Sequence, residues 1–236
     1  MTYIQAPADK RLVWYLAMEE YLAKQVEEDL FITWIVSPTV IFGRHQVMEA
    51  EVNVDFCRTN GIAMYRRKSG GGCVYADEGN LMMSMISPNK HSEVVFQQFL
   101  DRISDVLRHW GLPAVKSDHN DIMVEGKKVS GNACYALSTG TIVHGTMLVD
   151  VDLDMLQQAI TPSKEKLAKH GVKSVRQRVS NLARLVTNPQ LRTSTLVANR
   201  LSDALCLYQR ELTEQEIAAI DRIEQSYLDP QFIVGK

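Results

Sequence analysis

Apolar residues recur at helical spacing in two stretches of the chain. Residues 92–111 repeat them every three or four positions, at Phe96, Phe99, Leu100, Ile103, Val106, Leu107 and Trp110. This spacing predicts a helix, and Gly111 stands where a helix normally stops. Residues 10–28 predict a second helix with an apolar face made of Leu12, Tyr15, Leu16, Leu22 and Val26.

Shorter apolar runs predict strands and hairpins in the middle of the chain. The runs are LFITWIV (30–36), TVIFG (39–43), IAMYR (62–66) and LMMSMI (81–86). Two hairpins are expected to turn at Glu125-Gly126 and at Thr139-Gly140. The last third is expected to be helical, with Pro162 opening one short helix, residues 191–208 forming another, and Thr213 with Glu216 capping the last. The order predicts an α+β fold with a mixed, largely antiparallel sheet flanked by helices.

Charge and composition exclude several classes of protein. The 236 residues include 26 basic and 28 acidic side chains, so the net charge of −2 does not favour nucleic acid as a partner. Membrane association is not expected, because the longest apolar runs are too short or too polar to span a bilayer. The N-terminus lacks a secretory pattern, and the four scattered cysteines form no CxxC pair, which favours a cytoplasmic protein with free thiols.

The segment RRKSGGGCVYADEGNL (66–81) places three cationic residues directly before three glycines. Glycines let the backbone approach a ligand closely, and successive N–H groups can bind an anion such as a phosphate. A tight turn between strands explains the run equally well. A Walker phosphate loop is excluded because Cys73-Val74 follows Gly72, and the GxGxxG spacing of dinucleotide sites is missing.

A second candidate site is the hairpin NDIMVEGKKVSGNA (120–133). Strand alternation places Lys128 and Ser130 on one face and Lys127 and Val129 on the other. The amide of Asn120 and the carboxylate of Asp121 suit a metal–nucleotide complex. The ordinary alternative is a solvated pair of lysines beside a turn.

Five motifs in order resemble those of lipoate–protein ligase A and its relatives in the biotin/lipoate ligase group. They are GRHQ (43–46), the glycine segment, the lysine hairpin, HGTMLVDVDLDML (144–156) and VKSVRQRVSNL (172–182). The resemblance implies a biotin/lipoate ligase-like catalytic domain over residues 1–236, with a helical tail from about 191 to 236. It also implies an ATP-dependent ligase that converts lipoate into lipoyl-adenylate and passes the lipoyl group to a lysine of a carrier protein.

The same resemblance implies a role for each site residue. Lys128 matches the family's catalytic lysine, which bridges the phosphate and the lipoyl carbonyl, and Lys127 is the comparison residue. The nucleotide site is implied at Arg67, Gly72, Cys73, Val74, Tyr75, Asn80, Asp121 and Lys128. The lipoyl site is implied at Trp34, Ser69, Gly70, Gly71, Lys128 and His144. Asp121 is the expected ligand of Mg²⁺, which would accompany ATP.

Carrier partners implied by the resemblance are lipoyl domains of dehydrogenase-complex acyltransferase subunits or the glycine-cleavage H protein. Many members continue into a small C-terminal domain that assists adenylation, and this chain ends at Lys236, too soon for it. A separate accessory protein, or the tail itself, is therefore expected to assist. The chain also departs from the family at Ala76, where a histidine is common.

Two other functions stay open at this stage. One is an octanoyl or lipoyl transferase that uses acyl-carrier thioesters and a cysteine nucleophile, although the segment KSDHNDI (116–122) lacks a cysteine and Cys134 lies beyond the lysine hairpin. The other is a non-catalytic binder of lipoyl-adenylate or of a carrier domain. The sequence does not decide between lipoate and octanoate.

Overall fold

Two β-sheets organise the part of the chain that the computed structural model describes, which is residues 1–117, 120–161 and 174–235. In chain order the strands are β1 (Thr2–Gln5), β2 (Leu30–Trp34), β3 (Thr39–Phe42), β4 (Ala63–Arg66), β5 (Cys73–Ala76), β6 (Asn80–Ser87), β7 (Ala114–Lys116), β8 (Asp121–Val124), β9 (Lys127–Ala136), β10 (Thr141–Leu148) and β11 (Tyr208–Glu211). The helices are α1 (Leu12–Ala23), α2 (Met48–Glu51), α3 (Val54–Thr59), α4 (Ser92–His109), α5 (Leu153–Ala159), α6 (Val175–Arg178), α7 (Ser194–Leu205), α8 (Glu214–Leu228) and α9 (Pro230–Val234).

The larger sheet has eight strands in the order β11-β1-β2-β6-β10-β9-β8-β7. Its first three strands run parallel, and all its other pairs are antiparallel. The smaller sheet has the order β4-β3-β5, with one parallel and one antiparallel pair. The expected α+β fold with a mixed, largely antiparallel sheet is confirmed.

Helices cover both faces of the larger sheet. On one face α4 and α7 pack against side chains such as Phe31 and Met83, and on the other face α1 packs against Ile32 and Met82. Strand alternation explains this division, because neighbouring residues of β2 and β6 point to opposite faces. A third core joins the smaller sheet to α3 and α5.

Helix α1 differs from its sequence prediction in two ways. It ends at Ala23 rather than near Glu28, and every residue except Tyr21 is buried, so its contacts are not confined to one apolar face. The reason is that α8 covers its outer side. Trp14 Nε1 donates a hydrogen bond to Asp221 of α8 at 2.7 Å.

The C-terminal segment is part of the main fold rather than a helical appendage. Strand β11 pairs with β1 at the edge of the larger sheet, and neither of these strands was predicted. The predicted helix at 191–208 begins later, at Ser194, because Thr193 caps its N-terminus. The capping box of Thr213 and Glu216 at the start of α8 is confirmed. The helix expected at Pro162 lies outside the described residues, and no helix in the described ranges is long and apolar enough to cross a membrane.

Candidate active site

A cavity of about 420 Å³ lies where the glycine segment, the lysine hairpin and α1 meet. Most of the site residues predicted from the sequence line it: Trp34, Arg67, Gly71, Gly72, Cys73, Val74, Tyr75, Asn80, Asp121, Lys128 and His144. Ser69 and Gly70 belong to the same glycine loop, residues 68–72, but are not part of the cavity wall. The structure therefore brings together residues from six strands, β2, β5, β6, β8, β9 and β10, and from the glycine loop.

The lysine hairpin contains a bulge that the sequence did not reveal. Met123 pairs with Lys128, but the preceding residue Ile122 pairs with Ser130, so Val129 is an extra residue in β9. Lys128 therefore shares a face with Gly131, and the prediction that it shares one with Ser130 is wrong. Lys127 lies on the opposite face from Lys128, as predicted.

Gly131 provides the space that the Lys128 side chain occupies. A Cβ atom at this position would overlap the ammonium group of Lys128. The turn that starts β9 is equally specific, because Glu125 and Gly126 both have positive φ angles, of 51° and 73°. Such angles are typical of a two-residue type I′ turn. Turn and glycine together direct the lysine into the cavity.

Asp121 accepts contacts from two cations in the cavity wall. Its Oδ1 lies 2.9 Å from Lys128 Nζ, and its Oδ2 accepts a hydrogen bond from Arg178 of α6. The main chain holds α6 close to the hairpin, since Ser180 N donates to the carbonyl of Lys128 at 3.0 Å. Arg178 was not singled out from the sequence, although it lies in the last of the five motifs.

The arrangement around Asp121 does not fit the Mg²⁺ site expected there. Both carboxylate oxygens are already paired with cations, which repel a divalent metal. Among the described residues, no cluster of three or more His, Cys, Asp or Glu side chains could hold a metal ion. In this structure Asp121 instead orients Lys128 and Arg178.

The three cations of the glycine segment shape the loop rather than forming one anion site. Arg66 donates to the carbonyls of residues 43, 44, 46 and 233. Arg67 donates to those of residues 41, 70 and 72. Lys68 pairs with Glu20 at 2.7 Å and so points towards α1 and α8. Burial lowers the pKa of Arg67 to about 10, which still leaves it charged at neutral pH.

Close packing requires glycine on both sides of the loop. A Cβ at Gly43, in the GRHQ motif, would overlap the carbonyl oxygen of Gly71. Gly71 itself has a φ of 90°, in the region that favours glycine. The two motifs are therefore in direct contact, although Gly43 and Gly71 are 28 positions apart in the chain.

Two separate apolar cores contribute to the cavity wall. The core around α1 supplies Leu12, Leu16, Trp34, Ile41, Val74 and Met82. The core around α3 and α5 supplies Cys73, Tyr75, Leu148, Leu156, Ile160, Val175 and Val179. The charged group of Lys128, Asp121 and Arg178 belongs to neither core. The cavity thus offers two different apolar regions and one cationic region.

Two buried polar atoms in the wall have no hydrogen-bond partner among the described residues. They are Nε1 of Trp34 and Oδ1 of Asn80. Trp34 is 4% exposed and stacks on Tyr15, with ring centroids 5.3 Å apart. Unsatisfied buried groups are uncommon in proteins, so both atoms are candidates for ligand contacts.

Cys134 lies on the other side of the sheet from the cavity. It pairs with Val143 in β10 and packs against the core that contains α4. Burial raises the pKa of its thiol, which lowers its nucleophilicity at neutral pH. The adjacent pair in the sheet, Ala133 and His144, faces the cavity instead.

The chain is similar to known proteins over most of its length. The family described as the lipoyl protein ligase A/B catalytic domain matches residues 13–205. Lipoate-protein ligase LplJ of Bacillus subtilis is 36% identical over 171 residues, which are 71% of this chain and 52% of that protein. Lipoate–protein ligase 1 of Staphylococcus aureus is 38% identical over 177 residues, or 74% of this chain and 54% of that protein. The chain therefore spans about half the length of these curated relatives.

A solved structure shares the fold over nearly its whole length. It is the bi-partite lipoate protein ligase of the archaeon Thermoplasma acidophilum, described together with its E2 lipoyl domain. The TM-score is 0.83 at 26% identity, with 99% of this chain and 96% of that chain covered.

Proposed function

Because the chain belongs to the lipoyl protein ligase A/B catalytic domain family, we propose that it is an ATP-dependent lipoate–protein ligase. Lipoate is activated as lipoyl-adenylate, and the lipoyl group is then transferred to a lysine of a carrier domain. The observation that carries the proposal is the position of Lys128. Its ammonium group lies in the wall of one cavity that also contains two apolar regions of different origin.

Each apolar region suits one part of the adenylate. The region around α1 is lined by aliphatic side chains and Trp34, which matches the alkyl chain and dithiolane of lipoate. The region around α5, with Cys73 and Tyr75, is then left for the adenine and ribose. Oδ1 of Asn80 is a free acceptor for a hydroxyl or amino group of the nucleotide.

In the first half-reaction, a carboxylate oxygen of lipoate attacks the α-phosphate of ATP, and pyrophosphate leaves. Lys128 stabilises the negative charge that builds up on the phosphate, and Arg178 provides a second cation in the same wall. Gly71 and Gly72 line the same cavity. The residues around Asp121 do not fit a metal ion, because both carboxylate oxygens are paired with cations.

In the second half-reaction, the neutral amine of the carrier lysine attacks the acyl carbonyl. An amide bond forms, the bond to the phosphate oxygen breaks, AMP leaves, and the proton of the amine passes to solvent. Negative charge develops on the carbonyl oxygen and on the departing phosphate. One cation at Lys128 serves both groups, because the acyl carbon and the phosphorus are bonded to the same bridging oxygen, which keeps the carbonyl oxygen close to the phosphate oxygens.

The domain arrangement and the partners belong to the same proposal. Residues 1–236 form one catalytic domain, into which the segment from residue 191 onwards is integrated through β11 and α8. The Thermoplasma protein of matching length is bi-partite and is described with an E2 lipoyl domain. By analogy we propose a lipoyl domain of an acyltransferase subunit, or the glycine-cleavage H protein, as carrier, and a separate accessory protein for adenylation.

The test measures the two half-reactions separately. The 236-residue protein is incubated with synthetic lipoyl-adenylate and an apo carrier domain, and carrier mass is followed. In a parallel assay, lipoate and ATP replace the adenylate, and pyrophosphate release is measured. We expect efficient transfer from the adenylate and slow adenylation, because a small misplacement of the α-phosphate costs on the order of 10²-fold in rate. Equal rates in both assays would show that adenylation needs no accessory protein, and absence of transfer would exclude the ligase.

A thioester-dependent transferase remains the second candidate because of Cys73. This thiol lies in the cavity wall next to Gly72, unlike that of Cys134. Octanoyl-carrier thioester supplied without ATP distinguishes the two functions. An octanoyl adduct on Cys73, followed by transfer to the apo domain, would favour the transferase.

A further inference from the structure

Behind the glycine loop, polar side chains from four segments of the chain form a buried series of hydrogen bonds. Ser69 Oγ lies 2.7 Å from His144 Nε2, and His144 Nδ1 lies 2.9 Å from Glu19 Oε2. The other carboxylate oxygen of Glu19 accepts a hydrogen bond from Ser84. The series thus connects the loop to β10, α1 and β6.

Glu19 occupies an unusual place for a carboxylate. It is 2% exposed and lies on α1, whose apolar side chains form part of one of the three apolar cores. A buried carboxylate destabilises a fold unless hydrogen bonds satisfy it. Each oxygen of Glu19 has one such partner, and the path through His144 ends at the loop residue Ser69.

We infer that Glu19, His144 and Ser69 act together as an anchor that holds the glycine loop closed over the acyl-adenylate. The inference rests on the proposed function. A mixed anhydride is lost when water attacks its acyl carbonyl, because lipoate and AMP are then released without transfer. A closed loop excludes water until the carrier lysine enters. The three residues are therefore positioning residues, with His144 also contributing to the cavity wall.

The same geometry resembles a serine nucleophile activated by a histidine and a carboxylate. Two observations favour an anchor instead. Ser69 is 3% exposed and is not part of the cavity wall, so its hydroxyl does not face a bound acyl group. Its carbonyl is also fixed, by a hydrogen bond from Arg44 N at 3.0 Å.

The first experiment measures how lipoyl-adenylate partitions between hydrolysis by water and transfer to the carrier domain. Purified Ser69→Ala and Glu19→Gln proteins receive lipoyl-adenylate and the apo carrier domain, and the ratio of free lipoate to lipoylated carrier is determined. We expect this ratio to rise about two- to tenfold, as is typical for loss of one side-chain hydrogen bond. Ser226→Ala is the matched control. The Ser226 hydroxyl is exposed to solvent and accepts a hydrogen bond of 3.2 Å from Lys68 Nζ of the same loop. Its ratio should equal that of the wild type.

A second experiment tests the anchor without any substrate. Amide hydrogen exchange of residues 68–73 should be about two- to tenfold faster in Ser69→Ala than in the wild type, and unchanged in Ser226→Ala. Thermal unfolding of each variant shows whether the fold is intact, and Ser69→Ala keeps the test valid if Glu19→Gln does not fold.

The possible failures are distinguishable. Wild-type protein that lipoylates no carrier refutes the proposed function, while faster exchange in Ser69→Ala still supports the anchor. A folded Ser69→Ala protein with wild-type exchange and a wild-type ratio overturns the anchor. A lipoyl ester on Ser69, detected by mass spectrometry, would also overturn it and make Ser69 a nucleophile.

Discussion

Replacing Lys128 by methionine should reduce lipoyl transfer from preformed adenylate by about 10²–10³-fold. Methionine keeps most of the apolar stem and removes the charge. Two unit charges about 4 Å apart attract each other by about 4 kcal/mol at an effective dielectric constant of about 20. The side chain of Lys128 is 22% exposed and is partly neutralised by Asp121 at 2.9 Å, so the net effect is smaller than this limit. The range agrees with the loss of one preorganised charge or donor at a reacting centre.

The fold should tolerate this change. Removing one member of a buried ion pair is usually costly because the other charge is left unpaired. Asp121 keeps Arg178 as a partner in the variant, so its carboxylate remains neutralised. We therefore expect the unfolding temperature of Lys128→Met to stay close to that of the wild type.

Single-turnover transfer to an apo carrier domain is the appropriate assay, because it does not depend on ATP binding or adenylation. Lys127→Met is the matched control, since Lys127 precedes Lys128 in β9 and lies on the opposite face of the hairpin. Its rate should lie within about threefold of the wild type. Equal losses in the two variants would refute the assignment of the faces, and a Lys128→Met rate within tenfold of wild type would refute the electrostatic role.

Three further substitutions test other parts of the site. Trp34→Ala should raise the KM for lipoate or admit longer acyl analogues without changing nucleotide binding, because loss of the indole enlarges the apolar region. Unfolding of the variant would show that Trp34 mainly supports the core. Cys134→Ser should keep carrier lipoylation, since Cys134 faces α4, and a folded but inactive variant would contradict this. Gly43→Ala should lower the unfolding free energy by about 1–3 kcal/mol in a denaturant titration, because its methyl group would overlap Gly71. The control for stability is Gly70→Ala, where a Cβ would meet no atom within 4 Å, and equal stability of the two variants would count against the close contact.

Local patterns predicted the elements whose formation depends on nearby residues. The spacing of apolar residues in α4, the capping box of α8 and the Glu125-Gly126 turn are all decided within a few positions of the chain. Strands β1 and β11 were missed because they are only four residues long and pair with each other across the whole sequence. No pattern within a few neighbouring residues predicts a pairing between strands so far apart in the chain.

The candidate site shows the same limit at the level of single residues. Motifs identified Lys128 and the glycines, but the bulge at Val129 depends on the register of β8 against β9, which alternation within one strand does not specify. Glu19 was overlooked because a glutamate on a helix is normally solvent-exposed. Its burial becomes evident only when α1 packs on the larger sheet, where Ser84 and His144 lie beside it.

The cations beside the three glycines had suggested an anion site, and their contacts explain why that interpretation was incomplete. A tight loop without regular pairing leaves backbone carbonyls that need donors. Arg66 and Arg67 donate to seven carbonyls, of which two lie in the loop and five in other segments that contact it. The fixed loop can then line the cavity with glycine backbone, while Lys128 and Arg178 bring positive charge from other elements. In the proposed reaction Lys128 stabilises negative charge on the phosphate and on the acyl carbonyl. The division of roles has a chemical advantage, because Lys128 is not also needed to hold the loop together.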